Sequence, residues 1–260
     1  MSPVLLDLGF FKLYGYGSMI ALGVLLSSVL AVVAARQQRL PRFEAAFPWL
    51  VLVIASAAFV GGKGLWWIMS TAAERSSTTV GAGFVYYGAI LAVVPATIFA
   101  LKAFGVPLLP AMDLLGMFLP FTHAFGRLGC FLAGCCYGCH SDSAIAVRFT
   151  EGIGLNGVLL HPVQLYETVA NFCIFALLWF WLRKRQLPGG ALFAITLLLT
   201  GASRCVTEFF RGDVVSALWG NRTAAPGEAP NGITQAQAIG ACAMAVGIIW
   251  LIRLRRKKVV

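Results

Sequence analysis

The chain reads as an all-α, polytopic membrane protein of about seven transmembrane helices, N-terminus outside and C-terminus cytoplasmic. Three observations predict it. Of 260 residues, 59% are hydrophobic and only 12% charged, where a soluble domain carries about 25% charged residues; the mean hydropathy is +0.83. The apolar residues form long unbroken runs, not the alternation of a membrane β-barrel. The basic residues gather at every second junction between those runs.

Seven runs approach the roughly 20 residues that a spanning helix needs. They cover residues 16–35, 47–70, 84–104, 110–131, 162–182, 189–210 and 233–254. Leu40-Pro41-Arg42, Gly105-Val106-Pro107 and Leu187-Pro188-Gly189-Gly190 break the chain between them. Two longer polar, Gly-rich connections lie at about 134–160 and 211–232. The chain therefore reads as one transmembrane domain over 1–260, with a short outward loop region at 134–160. The start of the chain has no basic n-region and no A-x-A site, so the first run is read as a retained span.

Arg36, Arg39 and Arg42 follow the first run, Lys102 ends the third, and Arg183, Lys184 and Arg185 follow the fifth. Arg253, Arg255, Arg256, Lys257 and Lys258 follow the seventh. These segments are placed in the cytoplasm, and they account for the net charge of +10 as contacts to anionic lipid heads. A basic balance split in this way gives no nucleic-acid surface.

An ionisable side chain inside a span is costly and marks function. Arg127 lies in the fourth run between Gly126 and Gly129, which allow close approach of another backbone or a ligand. Arg204 and Glu208 sit one turn apart on the sixth run, as do Glu167 and Asn171 on the fifth. Arg211 follows at the outer end. Forked guanidiniums match phosphate oxygens, so Arg127 and Arg204 suit a phospholipid headgroup; the alternative for Arg204 is a structural ion pair with Glu208. Arg127 has no acidic partner on its own helix face. His123, one turn before it, offers a base near neutral pH, or is a hydrogen-bonded structural residue.

Cys130, Cys135, Cys136 and Cys139 fall within ten residues, beside His140. Four readings stand open: one or two disulfides on an oxidising face, a soft-metal site on Cys136-x-x-Cys139 with His140, a nucleophilic thiol, or small residues packed around Arg127. The spacing is not that of a zinc finger. Cys173, Cys205 and Cys242 read as small buried apolar residues.

Several segments resemble, in order along nearly the whole chain, motifs of the prolipoprotein diacylglyceryl transferase family. His161-Pro162-Val163-Gln164-Leu165-Tyr166-Glu167 looks like its H-P-x-Q-L-Y-E. Gly126-Arg127-Leu128-Gly129 with Phe131, Gly134 and Gly138 resembles the stretch around its essential arginine. Arg204 with Glu208-Phe209-Phe210-Arg211 resembles R-x-x-x-E-F-F-R, Tyr16-Gly17 the first-span Y-G, and Gly61-Gly62-Lys63-Gly64 a G-G-R-x-G stretch with Lys for Arg. Gln237 matches a G-Q near the last span, with Ala236 in place of Gly.

The resemblance implies a multi-pass enzyme of the bacterial plasma (inner) membrane. Such an enzyme moves a diacylglyceryl group from phosphatidylglycerol to the lipobox cysteine of a prolipoprotein, releases glycerol phosphate, and needs no cofactor. Its partners would be phosphatidylglycerol, prolipoprotein signal peptides and membrane lipid. Arg127 and Arg204 would hold the lipid phosphate, with Glu208 orienting Arg204. Tyr16, Tyr86, Gly126, Gly129, Gln164, Tyr166, Glu167 and Arg211 would shape the substrate site. The chain departs from the family where a third-span histidine followed by two glycines is replaced by Tyr86-Tyr87-Gly88. It departs again at Cys130 and Cys135, which stand for an Asn and an acidic residue. His123 then becomes the candidate replacement base, with Tyr86 a weaker one because tyrosine titrates near pH ~10, while His161 begins the shared motif or caps the fifth span. Two alternatives follow: a related transferase with a phospholipid donor and another acceptor, or a non-enzymatic lipid-binding or redox membrane protein.

Overall fold

The computed structural model describes residues 4–8, 12–70, 85–149, 157–213, 217–219, 227–229 and 232–257. Among them are seven α-helices: α1 (Gly15–Gln37), α2 (Phe43–Met69), α3 (Tyr86–Ala103), α4 (Leu108–Ala133), α5 (Val163–Ala176), α6 (Ala191–Thr207) and α7 (Gln235–Lys257). Each expected span is a helix. Six helical stretches are long and apolar enough to cross a membrane; the apolar part of α3, Gly88–Ala103, is shorter. This is a multi-pass helical membrane protein. The fifth span does not run as regular helix to its end: its turns widen into a π-helical Leu177–Trp181 and then tighten into a 3₁₀ turn, Leu182–Lys184. Arg183 stacks on Trp179 there, 3.8 Å from the ring centroid.

The polar connections contain short strands that an all-helical reading leaves out. Val4–Asp7 (β1) pairs with Lys12–Tyr14 (β2), Val147–Arg148 (β3) with Leu159–Leu160 (β4), and Ala217–Trp219 (β5) with Ile233–Thr234 (β6), all antiparallel. Strands of two to four residues are too short to show alternation, so no sequence pattern announces them. The 134–160 segment is more than a polar loop. Tyr137, Phe149 and Leu160 form a small buried apolar core there. Residues 150–156 of it, and the unassigned parts of 211–232, lie outside the described residues.

The chain divides into two compact units, residues 32–111 and residues 1–31 with 112–260. In the first, α2 lies along α3 with backbone against backbone. A Cβ on Gly61 would strike the Gly88 carbonyl oxygen, and one on Gly88 the Gly61 carbonyl oxygen. That is the small-residue contact by which helices associate in lipid, and it accounts for part of the Gly61-Gly62-Lys63-Gly64 stretch. Lys63 stands 5.3 Å from the Trp66 ring. Arg36 donates to Glu44 at 2.8 Å across the turn from α1 to α2, where Arg39 and Arg42 take positive φ.

In the second unit α6 packs along α7. Ser27 on α1 and Thr122 on α4 share a hydroxyl hydrogen bond of 2.6 Å. Phe118, Phe121 and Phe125 of α4 interleave with Phe172, Phe175 and Trp179 of the fifth span, the Phe121–Phe175 centroids 4.6 Å apart. Asp113 of α4 caps α6: its two carboxylate oxygens accept from the Gly190 and Phe193 N–H groups at 2.7 and 2.8 Å. Gly190 has no side chain to perform that cap itself, and a first helical turn in lipid leaves its N–H groups without water.

Candidate active site

The aromatic ladder fixes α4 against α5, and α6 packs along α5 as well as α7. Three helices thus present charge to one another, and Glu167 of α5 stands at the centre. One of its oxygens takes Arg127 Nε at 2.5 Å, from α4. The other takes Arg204 Nη1 at 2.6 Å, from α6, and a hydrogen bond of 3.4 Å from the Thr207 hydroxyl. Arg211 Nη1 approaches the same oxygen to 3.9 Å. Arg204 divides its fork, giving Nη2 to Glu208 Oε2 at 2.7 Å. Arg211 grips both oxygens of Asp213, at 2.7 and 2.9 Å.

Three guanidiniums thus meet three carboxylates, and the cluster is neutral in total. That balance makes the burial tolerable, because an unpaired ion in this setting costs several kcal/mol. Glu167 and Glu208 side chains are only 3% and 2% exposed. The open positions are on the arginines. Both partners of Arg127 fall on Nε, namely Glu167 and, at 3.3 Å, His123 Nε2. Its two Nη groups therefore donate to nothing among the described residues. Among the described residues, nothing lies within 4 Å of where a Cβ on Gly126 would be. Arg204 is the most accessible of the three, at 24%.

The structure distributes the sequence-predicted residues unevenly. Arg127, Glu167, Arg204, Glu208 and Arg211 come together, and His123 joins them through Arg127. Arg127 does have an acidic partner, on a helix other than its own. Gly129 serves as a close contact, with the Tyr16 backbone 3.1 Å from where its Cβ would be; the Tyr16 side chain is 45% exposed. Asn171 donates to the Glu167 carbonyl oxygen at 2.7 Å. Tyr166 pairs instead with His161, hydroxyl to Nδ1 at 2.9 Å, and both rings contact Phe210. His161 does not cap α5, since Pro162 holds that position. Its carbonyl accepts from Gly138, whose missing Cβ lets the two strands of chain meet. Tyr86 opens α3 in the other unit, and its side chain lies outside the described residues.

Sequence reasoning missed Asp213. The only signal was an acidic residue two positions after Arg211 with Gly212 between, a spacing that a tight turn converts into a fork-to-fork pair. Burial pushes the Asp213 carboxyl up while the Arg211 guanidinium pulls it down.

The cysteines also differ from their spacing. All seven are free. Cys139 and His140 do not join Cys136: the Cys139 backbone pairs with Phe210 and His161, and His140 Nδ1 lies 2.8 Å from the Leu159 carbonyl oxygen. Cys130, Cys135 and Cys136 are the ones that gather, with sulfurs all within 4.8 Å of one another. Gly134 and Cys136 both take positive φ, 71° and 61°, which folds the chain back over the end of α4. For a non-glycine residue that conformation costs of order 1–3 kcal/mol. Gln164, fully buried, holds the Cys135 carbonyl at 2.8 Å through Nε2, while its Oε1 has no partner among the described residues. Hydrogen bonds from Cys130 and Cys135, and the guanidiniums of Arg211 and Arg127, draw the Cys136 thiol below its ordinary range against the opposing effect of burial.

The profile of the family described as prolipoprotein diacylglyceryl transferase matches residues 3–253. A phosphatidylglycerol--prolipoprotein diacylglyceryl transferase of Clostridium tetani is 33% identical over 219 residues, 82% of this chain and 86% of that protein. A second such transferase, of Clostridium perfringens, is 28% identical over 82% of this chain and 84% of its own length. One of Campylobacter curvus is 28% identical over 81% of each. With the family profile spanning nearly all of it and a relative one-third identical over most of its length, the chain belongs to the prolipoprotein diacylglyceryl transferase family.

Proposed function

We propose that this protein transfers the diacylglyceryl group of phosphatidylglycerol to the lipobox cysteine thiol of prolipoproteins, as a multi-pass enzyme of the bacterial plasma membrane. Its reaction centre faces outward, the side left by the basic segments after the first, third, fifth and seventh spans. The observation that carries the reading is Arg127, tethered through Nε to Glu167 and His123, with neither Nη group donating to a partner among the described residues. A guanidinium fixed in that way presents two parallel donors to a phosphate without first breaking its own support. Arg204, held by Glu167 and Glu208, supplies the second positive charge.

The chemistry follows from charge. The incoming sulfur attacks the glyceryl carbon bonded to the phosphate oxygen. The carbon–oxygen bond breaks, and its electron pair leaves with glycerol phosphate. Negative charge therefore grows on the phosphate in the transition state, where preplaced guanidiniums act. The thiol proton needs an acceptor. His123 Nε2 accepts from Arg127 Nε; as a phosphate draws the Arg127 fork toward itself, Nε2 becomes free to take that proton. Glu208 and Glu167 orient the arginines, Gln164 and Tyr166 shape the wall, and Tyr16 lies over Gly129.

The test is direct. Purified protein is incubated with labelled phosphatidylglycerol and a lipobox peptide, and the diacylglyceryl thioether is measured. Product that disappears in Arg127→Ala and Arg204→Ala supports the reading. Lipid consumed without peptide modification would instead indicate a different acceptor. Lipid bound through both arginines with no turnover would indicate a binding protein on the same scaffold.

A further inference from the structure

The transfer reaction leaves the gathered cysteines without a role. Cys130 lies in the last turn of α4, and Cys135 and Cys136 return to it from the turn that follows. An ion bound by three thiolates at about 2.3 Å, the zinc–thiolate length, needs sulfurs about 4 Å apart. The three sulfurs here all lie within 4.8 Å of one another, so side-chain rotation of less than an ångström per sulfur closes the site.

Two features say that this is more than filling of space. Cys136 sits at φ 61°, a conformation that glycine adopts without penalty and an L side chain does not. Cys135 is held from a different helix, its carbonyl fastened by the buried Gln164 amide of α5. The turn is thus fixed from outside as well as within. Packing around Arg127 would be met by glycine at lower cost.

The donor set is all sulfur. His140 and Cys139, which would have widened it, are not in the group, the His140 ring turning to the Leu159 carbonyl, and the carboxylates nearby are committed to arginines. Three sulfurs without a hard oxygen select soft or borderline d¹⁰ ions over magnesium or calcium. The guanidiniums of Arg127 and Arg211 act electrostatically on Cys136, so the negative charge left after three thiolates meet one cation has compensation at hand.

We propose that Cys130, Cys135 and Cys136 form a three-thiolate site for a soft d¹⁰ cation such as Cd²⁺, Zn²⁺ or Cu⁺. Binding forms three sulfur–metal bonds, releases to solvent the protons the thiols carried, and changes no oxidation state. The site rests on the cysteine geometry alone and stands or falls independently of diacylglyceryl transfer.

Full-length protein, reduced and purified under argon, is titrated with Cd²⁺ while the thiolate-to-cadmium charge-transfer absorption is followed. The band is expected to saturate at one ion per chain. It should vanish in Cys135→Ser and Cys136→Ser and persist in Cys173→Ser and Cys242→Ser, whose exposed sulfurs lie on α5 and α7. Circular dichroism on each variant separates loss of the ion from loss of the fold. In the unmodified protein, Cd²⁺ should protect Cys130, Cys135 and Cys136 from maleimide while Cys173 and Cys242 react as before, a readout that needs no variant. A band that survives in Cys135→Ser and Cys136→Ser, or labelling of the three that Cd²⁺ does not alter, would overturn the proposal. So would a stable disulfide among them in protein prepared under argon with reductant.

Discussion

The two units solve the same problem by different means. In residues 32–111, α2 and α3 meet through Gly61 and Gly88, where absent side chains let carbonyls and backbone touch. In the other unit, α4, α5 and α6 meet through Arg127, Glu167 and Arg204, with Arg211 and Asp213 beside them. Glycine contact gains dispersion with nothing to desolvate. The charged contact adds a large desolvation cost, and a well-packed apolar substitute would be as stable or more so. Charge kept at that cost is what the proposed phosphate-binding role of the arginines accounts for.

The contrast can be broken at several points. The largest effect is expected at Arg127. Arg127→Ala should lower the thioether-forming kcat/KM by about 10³-fold, in the range found when a transition-state donor is removed. Arg127→Lys should rescue little of it, because one ammonium cannot hold Glu167 and also present a fork. Recovery to within a few-fold in the lysine variant would show that charge alone suffices.

Glu167→Gln should act on the fold as well as the reaction. It leaves Arg127 and Arg204 without their shared counter-ion, and breaking a buried pair costs about 3–5 kcal/mol. Thermal unfolding in detergent should show a clear fall in Tm, with excess phosphatidylglycerol restoring part of it by supplying a phosphate to the arginines. No change in Tm would mean that the carboxylate is not supporting the cluster.

Gly61→Val places a branched side chain against the Gly88 carbonyl. It should destabilise by about 1–3 kcal/mol, as overpacking does, while Arg204 and Glu208, in the other unit, keep their pairing. The smallest effect is expected at Ser27→Ala, which removes the Thr122 bond. Interhelical hydrogen bonds in membranes average about 0.6 kcal/mol, so Tm should move slightly and turnover not at all. A larger loss would show that polar glue carries more of the second unit than its glycine-packed neighbour needs.

What the sequence disclosed follows the same division. Helices were legible because lipid demands long apolar runs, and all seven could be read. Arg204 with Glu208 was legible because four residues make one turn. The Arg127–Glu167 pair was not, since it depends on how α4 docks on α5, and forty residues separate the partners. The cysteines misled through proximity: Cys136-x-x-Cys139 looked like a ligand pair, yet positive φ at Gly134 and Cys136 turns the chain so that Cys130 becomes the neighbour. Backbone conformation at single residues leaves little trace in composition. The short strands escaped for a related reason, being defined by pairing across the connection and not by their own side chains.

Asp113 has a consequence for how the protein is made. The first turn of α6 has its N–H groups capped by a carboxylate of α4. Chain synthesis proceeds from the N-terminus, so α4 is already in the bilayer when α6 emerges. When the sixth span docks, its first-turn amides meet an acceptor that the earlier span already carries. Docking of α6 on α4 and completion of the α6 N-terminus are in this way one event, because the same carboxylate does both.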